Sequence, residues 1–173
     1  MTKNSIYGSN SGRELFPSMK KTRQLLAYLI QNHPGFSITS LMKLSYITDL
    51  VSIQKTGNPM SGFEYKRYKY GPFDDKIYQY LSELKIGNVI DEDVAYSQTG
   101  DEYIIYNFNE KEEFSFDKLT DEEKGIMDEV LESLKGYGAK ALVELAYKTK
   151  PMKKIGAKIG NDKGLNQRLD LKA

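Results

Sequence analysis

The side chains that do acid–base, nucleophilic or metal chemistry are few in this chain and widely spaced. There is no cysteine and one histidine, His33. That excludes disulfides, thiolate nucleophiles and cysteine-ligated zinc, and a lone imidazole cannot build a multi-histidine metal site. His33 retains the capacity of a general base. It lies beside Pro34 and Gly35, and no Gly-x-Ser-x-Gly elbow or similar nucleophile motif accompanies it. Asp74 and Asp75 are the other acid–base candidates. Gly156-Ala-Lys-Ile-Gly160 has the glycine spacing of a phosphate loop but lacks the lysine–hydroxyl pair, and Lys163-Gly164 is not followed by Ser or Thr. Glu122-Glu123 and Asp128-Glu129 are neighbours on one predicted helix, where adjacent side chains diverge by about 100° and do not converge on a metal or a sugar. No catalytic set, cofactor loop or metal set emerges, and the expectation is a binding protein rather than an enzyme.

The most distinctive polar stretch is Phe63–Phe73, where Tyr65, Lys66, Arg67, Tyr68, Lys69 and Tyr70 precede Gly71-Pro72. Aromatics interleaved with cations stack on bases and neutralise phosphates in single-strand binders. Tyrosine and arginine equally dominate protein-binding hot spots. In a third reading the tyrosines pack inward and the cations extend to water. The expected partner-binding residues are Lys66, Arg67, Lys69 and Tyr70; Gly71 and Pro72 are read as a turn.

These residues need a scaffold, and 173 residues suit one domain with short tails. No apolar run nears the roughly 20 residues of a membrane span, and Met1–Gly12 does not have the make-up of a secretory signal, so the expected location is the cytoplasm. Net charge is +1, which gives no overall pull toward nucleic acid. The distribution is uneven. Residues 110–132 hold ten acidic and three basic side chains, whereas 148–173 hold eight basic and two acidic. The first reads as a solvated helix face; the second is a basic tail that either aids solubility or touches an acidic partner.

Hydrophobic spacing supplies the elements. Leu25, Leu26, Leu29 and Ile30 mark a first helix, stopped by His33-Pro34-Gly35. A second helix, capped by Ser37 or Thr39, carries Leu41, Met42, Leu44, Tyr46, Ile47, Leu50, Val51 and Ile53 over more than half its circumference. It reads as the central apolar helix, ended by Gly57-Asn58-Pro59. Residues 60–70 suit a short strand, and a third helix starts at Asp74 or Asp75 with Ile77, Tyr80, Leu81 and Leu84 inward. Val89–Phe108 reads as a β-hairpin turning at Thr99-Gly100-Asp101. A fourth helix is expected from near Asp117 with a Thr120/Glu123 capping box, and a fifth over Ala139–Tyr147, ended by Pro151. The fold class is mainly α (α+β): about five helices around a central apolar one, with a short strand and a hairpin. This element order resembles a winged helix.

Leu41-Met-Lys43-Leu44-Ser-Tyr46 resembles the leucine–lysine–leucine–tyrosine helix of the SocA-like, or Panacea, antitoxin domain, a family that also occurs among phage-associated proteins. The likeness continues through Gly57-Asn-Pro59-Met60, Phe63, Tyr68-Lys-Tyr70-Gly71-Pro72-Phe73, Ile77 and Leu81, then Leu119–Glu123 and Ala141–Leu145. It covers roughly residues 20–152. Many relatives carry a tryptophan after a proline near position 151; this chain has Met152 there. The resemblance implies an antitoxin that neutralises a toxin by direct protein contact, the toxin being encoded in an adjacent gene. It also implies that Lys43, Leu44, Tyr46, Gly57, Pro59, Gly71 and Pro72 form the family's structural motif. The expected organisation is a flexible arm over 1–18, the antitoxin domain over 19–152 and a partly ordered basic tail over 153–173. The competing readings are a DNA-binding regulator with winged-helix-like elements and a protease adaptor. An enzyme acting through His33, Asp74 or Asp75 ranks last.

Overall fold

A computed structural model describes residues 17–33, 35–111 and 113–173, with side chains from residue 20 onward. Residues 1–16 of the arm expected over 1–18, with Leu15 and Phe16, lie outside the described residues, as does Pro34 of the first helix stop, while Pro17 and Ser18 already belong to the first helix. The architecture is α+β. Helix α1 spans Pro17–Asn32, strand β1 Phe36–Ser37 and helix α2 Ile38–Thr56. A small hairpin of β2 (Lys66–Tyr68) and β3 (Gly71–Phe73) leads into α3, Lys76–Ile86. The larger hairpin, β4 (Ile90–Tyr96) and β5 (Glu102–Phe108), precedes α4 (Asp121–Ser133), α5 (Ala139–Tyr147) and α6 (Lys150–Lys154).

The apolar stripe of α1 packs as its spacing requires, with Leu25, Leu26, Leu29 and Ile30 fully buried. Directly after Gly35, which adopts φ +89°, the chain pairs Phe36 with Tyr106 and Ser37 with Ile105, placing β1 beside β5. The resulting antiparallel sheet runs β1-β5-β4. A two-residue strand has too few positions to show alternation, so sequence patterning does not place β1.

Helix α2 begins where the Ser37 hydroxyl accepts the Ser40 amide and ends at Gly57, which adopts φ +85° and donates its N–H to the Ile53 carbonyl. Its buried set departs from the apolar set expected. Leu41, Met42, Leu44 and Tyr46 are buried, but Ile47, Leu50, Val51 and Ile53 are only half-buried. In contrast Lys43, Ser45, Thr48, Asp49 and Ser52 are buried. The reason is that α1, α4, α5 and β3 press on several sides of this helix, so burial follows the neighbours rather than one apolar stripe.

Three boundaries differ from the sequence reading. The turn of the small hairpin is Lys69-Tyr70, not Gly71-Pro72: Tyr68 pairs with Gly71 and Arg67 with Pro72, so Gly71 and Pro72 open β3. Helix α4 starts at Asp121 with its Thr120/Glu123 capping box formed, while Asp117 instead accepts a hydrogen bond from Gln24. Pro151 does not end the helical region. It sits in the first turn of α6, where a missing N–H breaks no helical bond.

The C-terminal segment also departs from the partly ordered tail expected. Leu169 and Ala157 are buried. The Asn166 amide donates to the Arg67 carbonyl, the Arg67 amide to Gln167 and the Leu169 amide to Tyr65. Residues 166–169 thus lie along β2 on the side away from β3, with Lys66 bridged to Arg168. The paired amides supply binding that lysine-rich composition does not reveal.

Candidate functional site

The expected binding residues divide into two structural roles. Lys66, Lys69 and Tyr70 are exposed, Tyr70 at 60%. Arg67 is buried at 1% and is not a surface residue. Strand alternation sends Lys66 and Tyr68 to one face and Arg67 to the other, where its guanidinium meets the C-terminal segment. It donates to the carbonyls of Lys158 (3.1 Å), Asn161 (2.7 Å) and Lys163, to the Asn161 side chain (3.2 Å) and to the Tyr147 hydroxyl (3.2 Å). It also lies 5.4 Å from the Tyr147 ring centre. Contrary to the sequence expectation, Arg67 is therefore spent on internal contacts and does not belong to a partner surface.

The acid–base candidates do not come together. His33 stacks on Phe36 with ring centres 4.2 Å apart. Asp74 is buried and accepts the backbone amides of Glu64 and Lys76, which anchors the start of α3. Asp75 is the exposed N-cap residue of that helix and makes no cap bond.

Other motif residues serve the frame. Leu44 and Tyr46 are buried, and the Tyr46 hydroxyl lies 2.7 Å from that of Thr149, tying α2 to the start of α6. Burial pushes the Tyr46 phenol up to about 12, and the Thr149 hydrogen bond works against that rise. Gly57 and the exposed Pro59 lead into a loop held by Asp49. The Asp49 carboxylate accepts the Met60 and Ser61 amides, both at 2.7 Å, the Ser61 hydroxyl, and the Tyr65 hydroxyl at 2.7 Å. Burial raises the Asp49 pKa, and the bonds from Ser61, Tyr65 and Met60 oppose the rise.

Lys43 stands apart from this set. It is 1% exposed, yet its ammonium has one hydrogen bond, to the Pro72 carbonyl at 2.9 Å. The ammonium lies 5.9 Å from the Phe73 ring centre, and the side chain passes under Gly71. A Cβ at Gly71 would meet Lys43 Cε at 3.3 Å, and Gly71 holds φ +101°, so the residue is needed there for both space and backbone conformation. Lys43 is at the floor of a cavity of about 360 Å³ lined by Ile38, Thr39, Tyr68, Lys69, Tyr70, Gly71, Phe73, Asp75 and Tyr78. Tyr68 stacks on Phe73 at 5.3 Å, and Phe73 meets Tyr78 at 5.9 Å, which makes a continuous aromatic wall. A larger groove of about 540 Å³ lies between α5 and the C-terminal segment, but its lysines, Lys148, Lys153 and Lys158, are all exposed.

Sequence reading found Lys43, Lys69, Tyr70 and Gly71 of this cavity, with Lys43 assigned only to the motif. It missed Ile38, Thr39 and Tyr78. Tyr78 carries a readable signal, an aromatic on the flank of the α3 stripe formed by Ile77 and Leu81. Nothing in the order of residues shows that the second helix and the small hairpin meet around it.

Desolvation lowers the Lys43 pKa from its ordinary 10.5 to about 8. Between these values the unfolded chain holds a proton that the folded chain has released, so stability rises as pH goes from about 8 to about 10. Below pH 8 the buried charge opposes folding by about 3 kcal/mol, from about 1.4 kcal/mol per pKa unit. Lys43→Met removes that burden and one hydrogen bond to Pro72. It is expected to fold, to be more stable than wild type by about 1–2 kcal/mol at pH 7, and to lack the gain between pH 8 and 10. Chemical denaturation at pH 7, 8.5 and 10 checks this. A variant that loses stability at pH 7 would make Lys43 a structural lysine.

Fold and site together define a small α+β domain with a three-stranded antiparallel sheet and an aromatic pocket built over a buried ammonium. Residues 41–151 match the family model of the antitoxin SocA-like, Panacea domain, well over half of the chain, and the protein belongs to that family. Neither a curated protein nor a solved structure matches the chain. The match starts within α2 and stops within α6, so α1 and the three carbonyls that accept from the Arg67 guanidinium lie outside it.

Proposed function

We propose that this protein is the antitoxin of a toxin–antitoxin pair and that it neutralises a protein toxin by direct contact, in the cytoplasm. Membership of the antitoxin family carries this reading. The surface around the Lys43 cavity supports it further: Tyr70 and Tyr78 are 60% and 59% exposed, and Lys69 lies beside them. Tyrosines give large contact area at low conformational cost in protein interfaces. No helix among the described residues is long and apolar enough to cross a membrane.

The test is co-expression with the product of the adjacent gene. That product is expected to arrest growth alone and to be harmless beside this protein, with the two recovered as one complex. A harmless neighbour, or one that stays lethal in its presence, defeats the proposal. Loss of the neighbour's product over time, in place of a stable complex, would favour the protease-adaptor reading.

The DNA-binding reading draws on the β1-β5-β4 sheet and the helix order. Its electrostatics are unfavourable. Residues 90–108, which would form the wing, carry Asp91, Glu92, Asp93, Asp101 and Glu102 and no lysine or arginine. A wing that follows a phosphate backbone needs the opposite sign.

A further inference from the structure

We propose that the Lys43 cavity is a docking pocket for an acidic side chain, aspartate or glutamate, on the surface of a protein partner. This rests on the reading above that the partner is a protein and names the chemistry it must present.

The ammonium at the floor is 1% exposed and has a single acceptor, the Pro72 carbonyl. An ammonium has three donors, so two directions remain for an incoming acceptor. No salt bridge reaches Lys43 from any described residue. A lysine kept this deep without a carboxylate is poorly suited to holding a fold together. A partner that supplies the carboxylate completes the ion pair in a site already shielded from water, where charge interactions are strong.

The rest of the cavity fits the same occupant. Lys69 adds a second cation at the rim, 5.5 Å from the Tyr70 ring centre. Tyr68, Phe73 and Tyr78 give an apolar wall for the methylene stem of the incoming side chain and for an apolar neighbour beside it. A cavity of about 360 Å³ holds one or two side chains, not a folded element. Asp75 is the single carboxylate among the lining residues. It is exposed and therefore screened, while the buried ammonium acts through less solvent.

The test uses a random dodecamer peptide library displayed on phage, panned against the full chain at pH 7. Enriched peptides are expected to share an Asp or Glu next to an aromatic or aliphatic residue. The best of them, synthesised, is expected to bind wild type at least tenfold tighter than Lys43→Met. It should also lose at least tenfold when its acid is changed to the amide. Tyr70→Ala, an exposed rim change, should weaken it several-fold, and Asp75→Asn should tighten it. The proposal is overturned if the library yields no binder, if enriched peptides show no acidic preference, or if they bind Lys43→Met as tightly as wild type. Neutralisation in co-expression is read separately. Protection without an acidic preference leaves the antitoxin reading standing and removes this one. An acidic preference without protection leaves a peptide pocket and removes the antitoxin role.

Discussion

Arg67→Glu is expected to lower the melting temperature by about 6–20 °C, because 3–5 kcal/mol of lost stability moves the midpoint of a domain this size by about 2–4 °C per kcal/mol. The cause is local and specific. The Arg67 guanidinium faces the carbonyls of Lys158, Asn161 and Lys163, with no carboxylate among its hydrogen-bond partners. A glutamate there would direct negative charge at three carbonyl oxygens and leave Tyr147 and Asn161 without their donor. The sequence reading expects the opposite result, weaker partner binding in an intact fold. Burial of the side chain reverses that expectation. Circular dichroism melts separate the two outcomes, and hydrogen exchange locates the damage: the amides of Asn166 and Leu169, bonded to Arg67 and Tyr65, should lose protection first. A variant that melts like wild type would show that the segment is held by other contacts.

Asp49→Ala is expected to destabilise the domain by about 3–5 kcal/mol, since it strands buried donors that were bonded to a charged acceptor. The Met60 and Ser61 amides and the Tyr65 hydroxyl all lose their partner. Asp49→Asn keeps one carbonyl oxygen for the two amides and should lose less than half as much. The pH dependence has a defined sign. Burial raises the folded pKa of Asp49 above its ordinary 3.8, so above that value the unfolded chain releases a proton that the folded chain still holds. Stability carried by this group therefore falls as pH rises from 3.8 through the folded pKa. Asp49→Asn lacks that slope. Denaturation midpoints of the two proteins across acid pH check it, and parallel profiles would assign the carboxylate no such linkage.

Local signals account for what sequence made legible. The stripe of α1, the capping box at Thr120 and the Thr99-Gly100-Asp101 turn each depend on residues within a few positions of one another, and all three appear in the structure. The errors share a physical cause, which is contact over long sequence separation. Arg67 looks like any strand cation until residues 158–163 are folded against it. Pro151 looks like a stop because the missing N–H is harmless only at a helix start, and whether a new helix starts there is not a local property. Asp49 is one residue among the polar positions of a long helix, and its four donors come from residues 60–65. Of the candidate pocket, Lys43, Lys69, Tyr70 and Gly71 stood out through motif and composition. Ile38, Thr39 and Tyr78 join them only because α2 and α3 approach the small hairpin together.

The arginine held by carbonyls has a consequence for how the protein is made. A ribosome delivers the chain from its N-terminus, and the family-matched stretch is complete at residue 151. At that moment Arg67 has none of the three carbonyls that will surround it, because they belong to Lys158, Asn161 and Lys163. Tyr147 is already present, but most of the acceptors that offset burial of the charge are not. Enclosure of the guanidinium therefore waits for residues 158–169, which close over it and pair with Tyr65 and Arg67. In this chain the recognisable family segment and the unit that folds are not the same length.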